Sequence, residues 1–269
     1  MSLKTILAGL MVSFGSIISA QNHTDLVIGE QIQLHSNFLD TARQLNVYLP
    51  HGYHPDSSET YPVIYVLDGS MHEDFLHIAG LTQFGSYPWI NFVPESIVVG
   101  IENVNRYHDF TYPTELEDYQ NINPQNGGSA DFISFIEKEV QPLIARTYKT
   151  NEDKTIVGQS LGGLLATEIL YKQPHLFNTY IIVSPSLWWD DESIFDWDVK
   201  PIPEGTNIFV GVGKEGRIMK KVAKKLYRDV KTRLPKNSFV DFEYFKELDH
   251  GDALHLAVYA AFNSIYIKK

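Results

Sequence analysis

Ser160 sits at the centre of Gly158-Gln159-Ser160-Leu161-Gly162, a spacing that suits a serine nucleophile. Ile156 and Val157 before it have the character of a buried strand end, and Leu161 to Tyr171 after it that of an apolar helix. A serine on so sharp a strand-to-helix turn takes a strained backbone conformation, and glycines two residues to either side are expected to relieve the crowding. Such a turn exposes Oγ and aims a helix N-terminus at the point where negative charge develops in acyl transfer. The hydroxyl needs a base to take its proton, and the base needs an orienting group. Downstream of Ser160 the histidines are His175, His250 and His255. His175 falls at a helix end and His255 within the last helix, whereas His250 occupies a loop, Leu248-Asp249-His250-Gly251-Asp252. His250 is the expected base. A tetrahedral oxyanion needs two backbone N–H donors, and by position these are Leu161 and the Gly69/Ser70 loop.

These groups must be brought together by the elements that carry them. Gln31 to Leu34 and Gln44 to Leu49 alternate like an antiparallel pair. Tyr61 to Leu67 and Ser96 to Ile101 are continuous apolar runs, typical of strands buried on both faces. Thr179 to Val183, Asn207 to Val212 and Phe239 to Phe245 are further strand-like segments. Helices are expected over Ala130–Tyr148, over Gly216–Leu234 (basic and amphipathic), and over Ala253–Ile267. Strands alternating with helices after an antiparallel pair predict an α/β fold with a mostly parallel, doubly wound sheet. Ligands bind such sheets beyond the strand C-termini. Asp68-Gly69, Ser160, Ser184, Glu215 and His250 all follow strand ends, so they fall on one rim. With an elbow on this sheet, the acid is expected between Ser160 and His250 in the chain. Glu215 leads, Asp190 and Asp191 compete, and a Ser–His dyad without an acid stays open.

The 269 residues, 43% of them hydrophobic, suffice for one large catalytic domain, taken as residues 21–269. A net charge of −11 counts against a nucleic-acid or anionic-membrane partner. Lys4, the apolar stretch Ile6 to Ile18 and Ala20 resemble a secretory signal peptide cut after Ala20, too short to span a bilayer comfortably. Secretion or release into a periplasm is the expectation, with no stable membrane insertion. Cysteine is absent, which removes disulfides, thiol nucleophiles and thiolate metal sites. Asp190-Asp191-Glu192 lacks the alternating ligands and glycine of a calcium loop. It reads as a solvated acidic cluster, and neither a metal nor a cofactor is expected.

Five stretches carry a family resemblance: Tyr65-Val66-Leu67-Asp68-Gly69, Asn105-Arg106-Tyr107-His108-Asp109-Phe110-Thr111, the elbow with Gly163, Ser184-Pro185-Ser186-Leu187-Trp188-Trp189, and Asp249-His250-Gly251. In order and spacing the chain resembles the putative-esterase (esterase D) family of α/β-hydrolases, in its enterochelin-esterase-like branch. The resemblance implies a serine esterase with Ser160 as nucleophile, His250 as base and a carboxylate near Glu215. It implies a small-molecule or oligosaccharide ester as substrate. A siderophore trilactone is favoured slightly over the feruloyl or acetyl esters of plant-wall carbohydrate. An acyltransferase with the same triad is a rival, as is a silent hydrolase fold kept for binding. Arg106 either holds an anionic or phenolate part of the substrate or pairs with Asp109 or another carboxylate. Trp188 and Trp189 are candidates for an aromatic pocket, and at most one is expected to serve, since neighbours on an extended segment face opposite ways.

Overall fold

The structure, a computed structural model, describes residues 23–267. The expected signal peptide at 1–20 lies outside the described residues. Runs of β-branched and aliphatic residues form eight strands: β1 (Glu30–Ser36), β2 (Thr41–Tyr48), β3 (Tyr61–Leu67), β4 (Ile97–Ile101), β5 (Thr150–Gln159), β6 (Thr179–Val183), β7 (Asn207–Gly213) and β8 (Phe239–Phe245). They make one sheet in the order β1-β2-β4-β3-β5-β6-β7-β8. β1 and β2 pair antiparallel, β2 joins β4 antiparallel, and every later pairing is parallel. This is the α/β-hydrolase arrangement expected from the sequence.

Alternate residues of the central strands feed two separate cores, as the two-residue period of a strand requires. Tyr65, Leu67, Ile156, Tyr180 and Val210 pack beneath four helices, α4 (Ser129–Phe135), α5 (Gln141–Thr147), α6 (Leu161–Lys172) and α7 (Gly216–Arg233). Ile64, Val66, Val157, Ile181 and Phe209 pack on the other face, beneath α1 (Phe75–Gly85) and α8 (Ala253–Tyr266). Coverage on both faces explains why β3, β4, β6 and most of β7 read as unbroken apolar runs, whereas β5 is apolar and buried only towards Ser160, at Ile156 and Val157.

The helix expected over Ala130–Tyr148 is not uniform. A π-turn at Ile136–Val140 separates α4 from α5, and Pro142, in the first turn of α5, has no N–H to offer the carbonyl four residues back. Two short helices, α2 (Arg106–Phe110) and α3 (Glu117–Ile122), cross the loop region between β4 and α4. Among the described residues, no helix is long and apolar enough to cross a membrane.

Candidate active site

β5 delivers Ser160 to the rim with φ 59° and ψ −119°, the strained turn that a nucleophile elbow requires. The turn is fixed from both sides. Ser160 N–H donates to the Val183 carbonyl at 3.1 Å, and the Ser160 carbonyl accepts from Leu164 and Ser186 N–H, each at 3.0 Å. A Cβ at Gly158 would lie 2.4 Å from the Gly162 carbonyl oxygen, so glycine is required there. The expectation for Gly162 is corrected. A Cβ there meets nothing closer than 3.4 Å, and the tight neighbour is Gly163, whose Cβ would stand 3.0 Å from Pro185.

The His250 loop folds back against this elbow. Gln159 Nε2 donates to the His250 carbonyl at 2.6 Å, which ties the histidine to the residue before the serine. On the imidazole, Nδ1 lies 2.5 Å from Glu215 Oε2. Glu215 Oε1 accepts from the Ser184 hydroxyl and, at 3.0 Å, from Gly213 N–H. The Glu215 side chain is only 4% exposed, that of His250 48%. Burial pushes the Glu215 carboxyl up, but the hydrogen bonds from His250 and Ser184, with the His250 charge, outweigh it and hold the acid below its ordinary range. Asp190 and Asp191 are engaged elsewhere: Asp190 accepts from Thr114 and Ser193, and Asp191 is 3.4 Å from the Tyr119 hydroxyl. Among the described residues, Ser160 Oγ makes no hydrogen bond to His250. Its one partner is Ser186 Oγ at 3.3 Å. Without a substrate, catalytic hydrogen bonds of this kind are often long and tighten on binding.

The loop after β3 differs from expectation at one residue. Gly69 N–H already donates to the Ile101 carbonyl at 3.0 Å, and a Cβ at Gly69 would lie 2.3 Å from Gly100 Cα. Gly69 is a packing glycine against β4, and its amide is not free for an oxyanion. Ser70 N–H has no partner among the described residues, and Leu161 opens α6, where N–H groups have no carbonyl four residues back. Of the two expected positions, this leaves the Leu161 and Ser70 N–H groups without an acceptor among the described residues.

Arg106 does not pair with Asp109. Its guanidinium forks onto Asp68, with Nε to Oδ1 at 2.8 Å and NH2 to Oδ2 at 2.9 Å, and NH2 also reaches the Gln159 carbonyl at 3.3 Å. Asp109 takes Arg43 instead. Burial raises the Asp68 carboxyl, against the lowering effect of Arg106. Arg106 thus links the loop after β3 to the elbow.

The two tryptophans separate. Trp189 is fully buried, with Nε1 donating to the Tyr112 carbonyl at 3.0 Å, and serves the core rather than a substrate pocket. Trp188 is half-buried, stacks on Tyr119 with centroids 6.1 Å apart, and follows two residues after Ser186. The acidic cluster is not simply solvated, since Glu192 pairs with Lys221 and Lys225 at 2.7 and 3.0 Å. A cleft of about 620 Å³ lined by Tyr112, Lys172, Asp190 and Trp197 does not include Ser160. Among the described residues, none of its lining side chains is hydrogen-bonded to Ser160, Glu215 or His250.

Sequence reasoning missed Gln159, Ser184 and Ser186 as partners of the site. The sequence places Ser184 on the rim and no more, and its φ of 44° with a fully buried side chain is a signal visible only in three dimensions.

The sequence model of the family described as "Putative esterase" matches residues 36–224. Over 162 residues the chain is 33% identical to the ferri-bacillibactin esterase BesA of Bacillus subtilis, covering 55% of each protein. Over 141 residues it is 30% identical to the siderophore triacetylfusarinine C esterase of Aspergillus fumigatus, covering 48% of this chain and 45% of that one. The chain thus spans about half the length of these curated relatives. An IroE-like serine hydrolase from Shewanella oneidensis superposes with a TM-score of 0.77 at 30% identity, over 88% of this chain and 80% of that one.

Proposed function

This chain belongs to the Putative esterase family, and from that premise we propose that it is a serine carboxylic-ester hydrolase acting on siderophore esters. The reading is carried by one observation: His250, oriented by the buried Glu215, is tied through its own carbonyl to Gln159, the neighbour of Ser160. The names of the relatives, a ferri-bacillibactin esterase and a triacetylfusarinine C esterase, support the substrate class.

Ser160 Oγ turns from Ser186 towards His250 Nε2, gives up its proton, and attacks the ester carbonyl. Glu215 keeps the imidazole in the tautomer that leaves Nε2 free and stabilises the imidazolium that forms. The tetrahedral oxyanion rests on the Leu161 and Ser70 amides, each such donor being worth roughly 10²–10³ in rate. His250 protonates the departing alkoxide, then takes a proton from water as the water attacks the acyl-enzyme. Collapse breaks the acyl–Oγ bond as His250 hands that proton to Ser160 Oγ, which restores the serine and releases the acid.

The test is mass-spectrometric product analysis of the wild type and Ser160→Ala. The panel holds a catecholate trilactone, a feruloylated oligosaccharide, an acetylated xylan fragment and a short activated ester. The expected result is serine-dependent opening of the trilactone well above the other esters, with turnover abolished and melting temperature little changed in Ser160→Ala. Preferred cleavage of the sugar esters would replace the siderophore reading, and a Ser160→Ala protein that retained activity would sink the nucleophile assignment.

A further inference from the structure

The basic helix is the one prominent sequence feature that this chemistry does not use. α7 holds eight of the chain's 22 lysine and arginine residues against a single acid, Asp229, in a protein of net charge −11. Its apolar stripe, Val222, Ala223, Leu226 and Val230, is buried in the core, so the cations are confined to the outer faces.

Two facts place the start of this column at the strand C-terminal rim. The helix starts at the residue after Glu215, the partner of His250. In addition, Lys220 Nζ sits 3.2 Å from the ring centroid of Tyr244, at the C-terminal end of β8 and paired in register with Val212. Lys224 follows one turn on, 5.9 Å from the Phe242 ring. Lys214 and Arg217 flank Glu215 and are exposed. Among the described residues, none of Lys214, Arg217, Lys220 and Lys224 has a carboxylate within ion-pair distance, whereas Lys221 and Lys225 are both taken by Glu192. Arg106 at the elbow is neutralised by Asp68, so the cations left unneutralised towards the site are those at the start of α7.

We propose that this unpaired column steers polyanionic esters to Ser160, so that the enzyme prefers substrates carrying several negative charges near the scissile bond. A ferric catecholate complex has that chemistry. The proposal rests on the ester-hydrolase reading above. Overall charge opposes it, since at low ionic strength a field of −11 extends roughly 30 Å at about 0.01 M salt. At physiological salt the screening length is about 8 Å, so an approaching anion meets local charge, the α7 column set against the exposed Glu247, Asp249 and Asp252 of the His250 loop, rather than the distant surface.

The experiment uses a matched pair of esters, one uncharged and one bearing several carboxylates on the same scaffold. Both are assayed for kcat/KM across ionic strength with the wild type, Ser160→Ala, Lys214→Glu/Arg217→Glu and Lys220→Gln/Lys224→Gln. A control, Lys149→Glu/Lys236→Glu, makes the same charge change as the first pair at exposed positions near the opposite strand ends. The anionic-to-neutral ratio of kcat/KM should fall about tenfold in Lys214→Glu/Arg217→Glu near physiological salt, less in the neutralised pair, and by no more than about twofold in the control. The loss should shrink towards 1 M salt, where screening reaches about 3 Å. Serine-dependent hydrolysis of both esters with an unchanged ratio in the α7 variants overturns the steering and leaves the hydrolase standing. So does a wild-type rate on the polyanion that rises with salt. Failure of the wild type to hydrolyse either ester overturns the hydrolase reading itself.

Discussion

Ser184 shares the Glu215 carboxylate with His250, from a position where its side chain is wholly buried. Hydrogen bonds that favour the charged form lower a carboxyl pKa, and Ser184 is one of the groups holding Glu215 down. A folded-state pKa below the unfolded value adds stability at higher pH, lost as pH falls through the folded value. Ser184→Ala should raise the Glu215 pKa, move the acid limb of the kcat/KM profile upward, and cost at least about tenfold in kcat, a hydrogen bond to a charged group being worth roughly 1.5–3 kcal/mol. A variant with the wild-type profile would show that Ser184 merely fills space. That Ser160, His250 and Glu215 share one rim is legible in the sequence because each follows a strand end, where residues of such a sheet converge. The same rule puts Ser184 on that rim, but its bond to Glu215 and that of Gln159 to the His250 carbonyl join residues 31 and 91 apart, and a rim position does not say which neighbour a side chain meets. Gly69 was misassigned for a related reason: its close approach to Gly100 depends on the pairing of β3 with β4.

The central strands β3 and β6 are legible because burial on both faces leaves an unbroken apolar run, and both match their expected limits residue for residue, whereas the polar first half of β5 carries no such signal. α1, α2 and α3 were not anticipated. α2 and α3 are too short for a helical period, and α2 is set by Asn105, whose side chain caps His108 N–H. α1 begins beside an acid with a pH consequence. Asp74 immediately precedes it, and burial, then the charges of Asp68 and Glu73, push its carboxyl up to about 7 against the opposing Arg106. The unfolded chain gives up this proton from about pH 4, while the folded protein keeps it until about pH 7, so stability falls through that window and levels off above it. Asp74→Asn removes the ionisation. Its melting temperature should exceed that of the wild type at pH 8 and match it near pH 4. An equal difference at both values would mean that the substitution acts through packing alone.

The antiparallel N-terminal strands and the reaction rim are joined across the molecule by one buried ion pair. Arg43 on β2 reaches Asp109 in α2 with NH1 to Oδ2 at 2.5 Å and NH2 to Oδ1 at 3.1 Å, the side chains 4% and 0% exposed. Three residues earlier, Arg106 at the start of the same short helix grips Asp68 and the elbow carbonyl. A helix of five residues has little stability of its own, so these two grips hold it in place between sheet and site. Breaking one partner of a buried pair strands the other charge, at a cost of about 3–5 kcal/mol, whereas replacing both with apolar groups is often neutral. Arg43→Met should therefore destabilise by that amount in denaturant unfolding, and Arg43→Met/Asp109→Leu should recover most of the loss. Because Arg106 depends on where α2 sits, the single variant should also lose esterase rate at temperatures well below its melting point, and the double variant should lose less. If Arg43→Met were no less stable than the double variant, the pair would be a passive contact, and the rim would owe its geometry to the sheet alone.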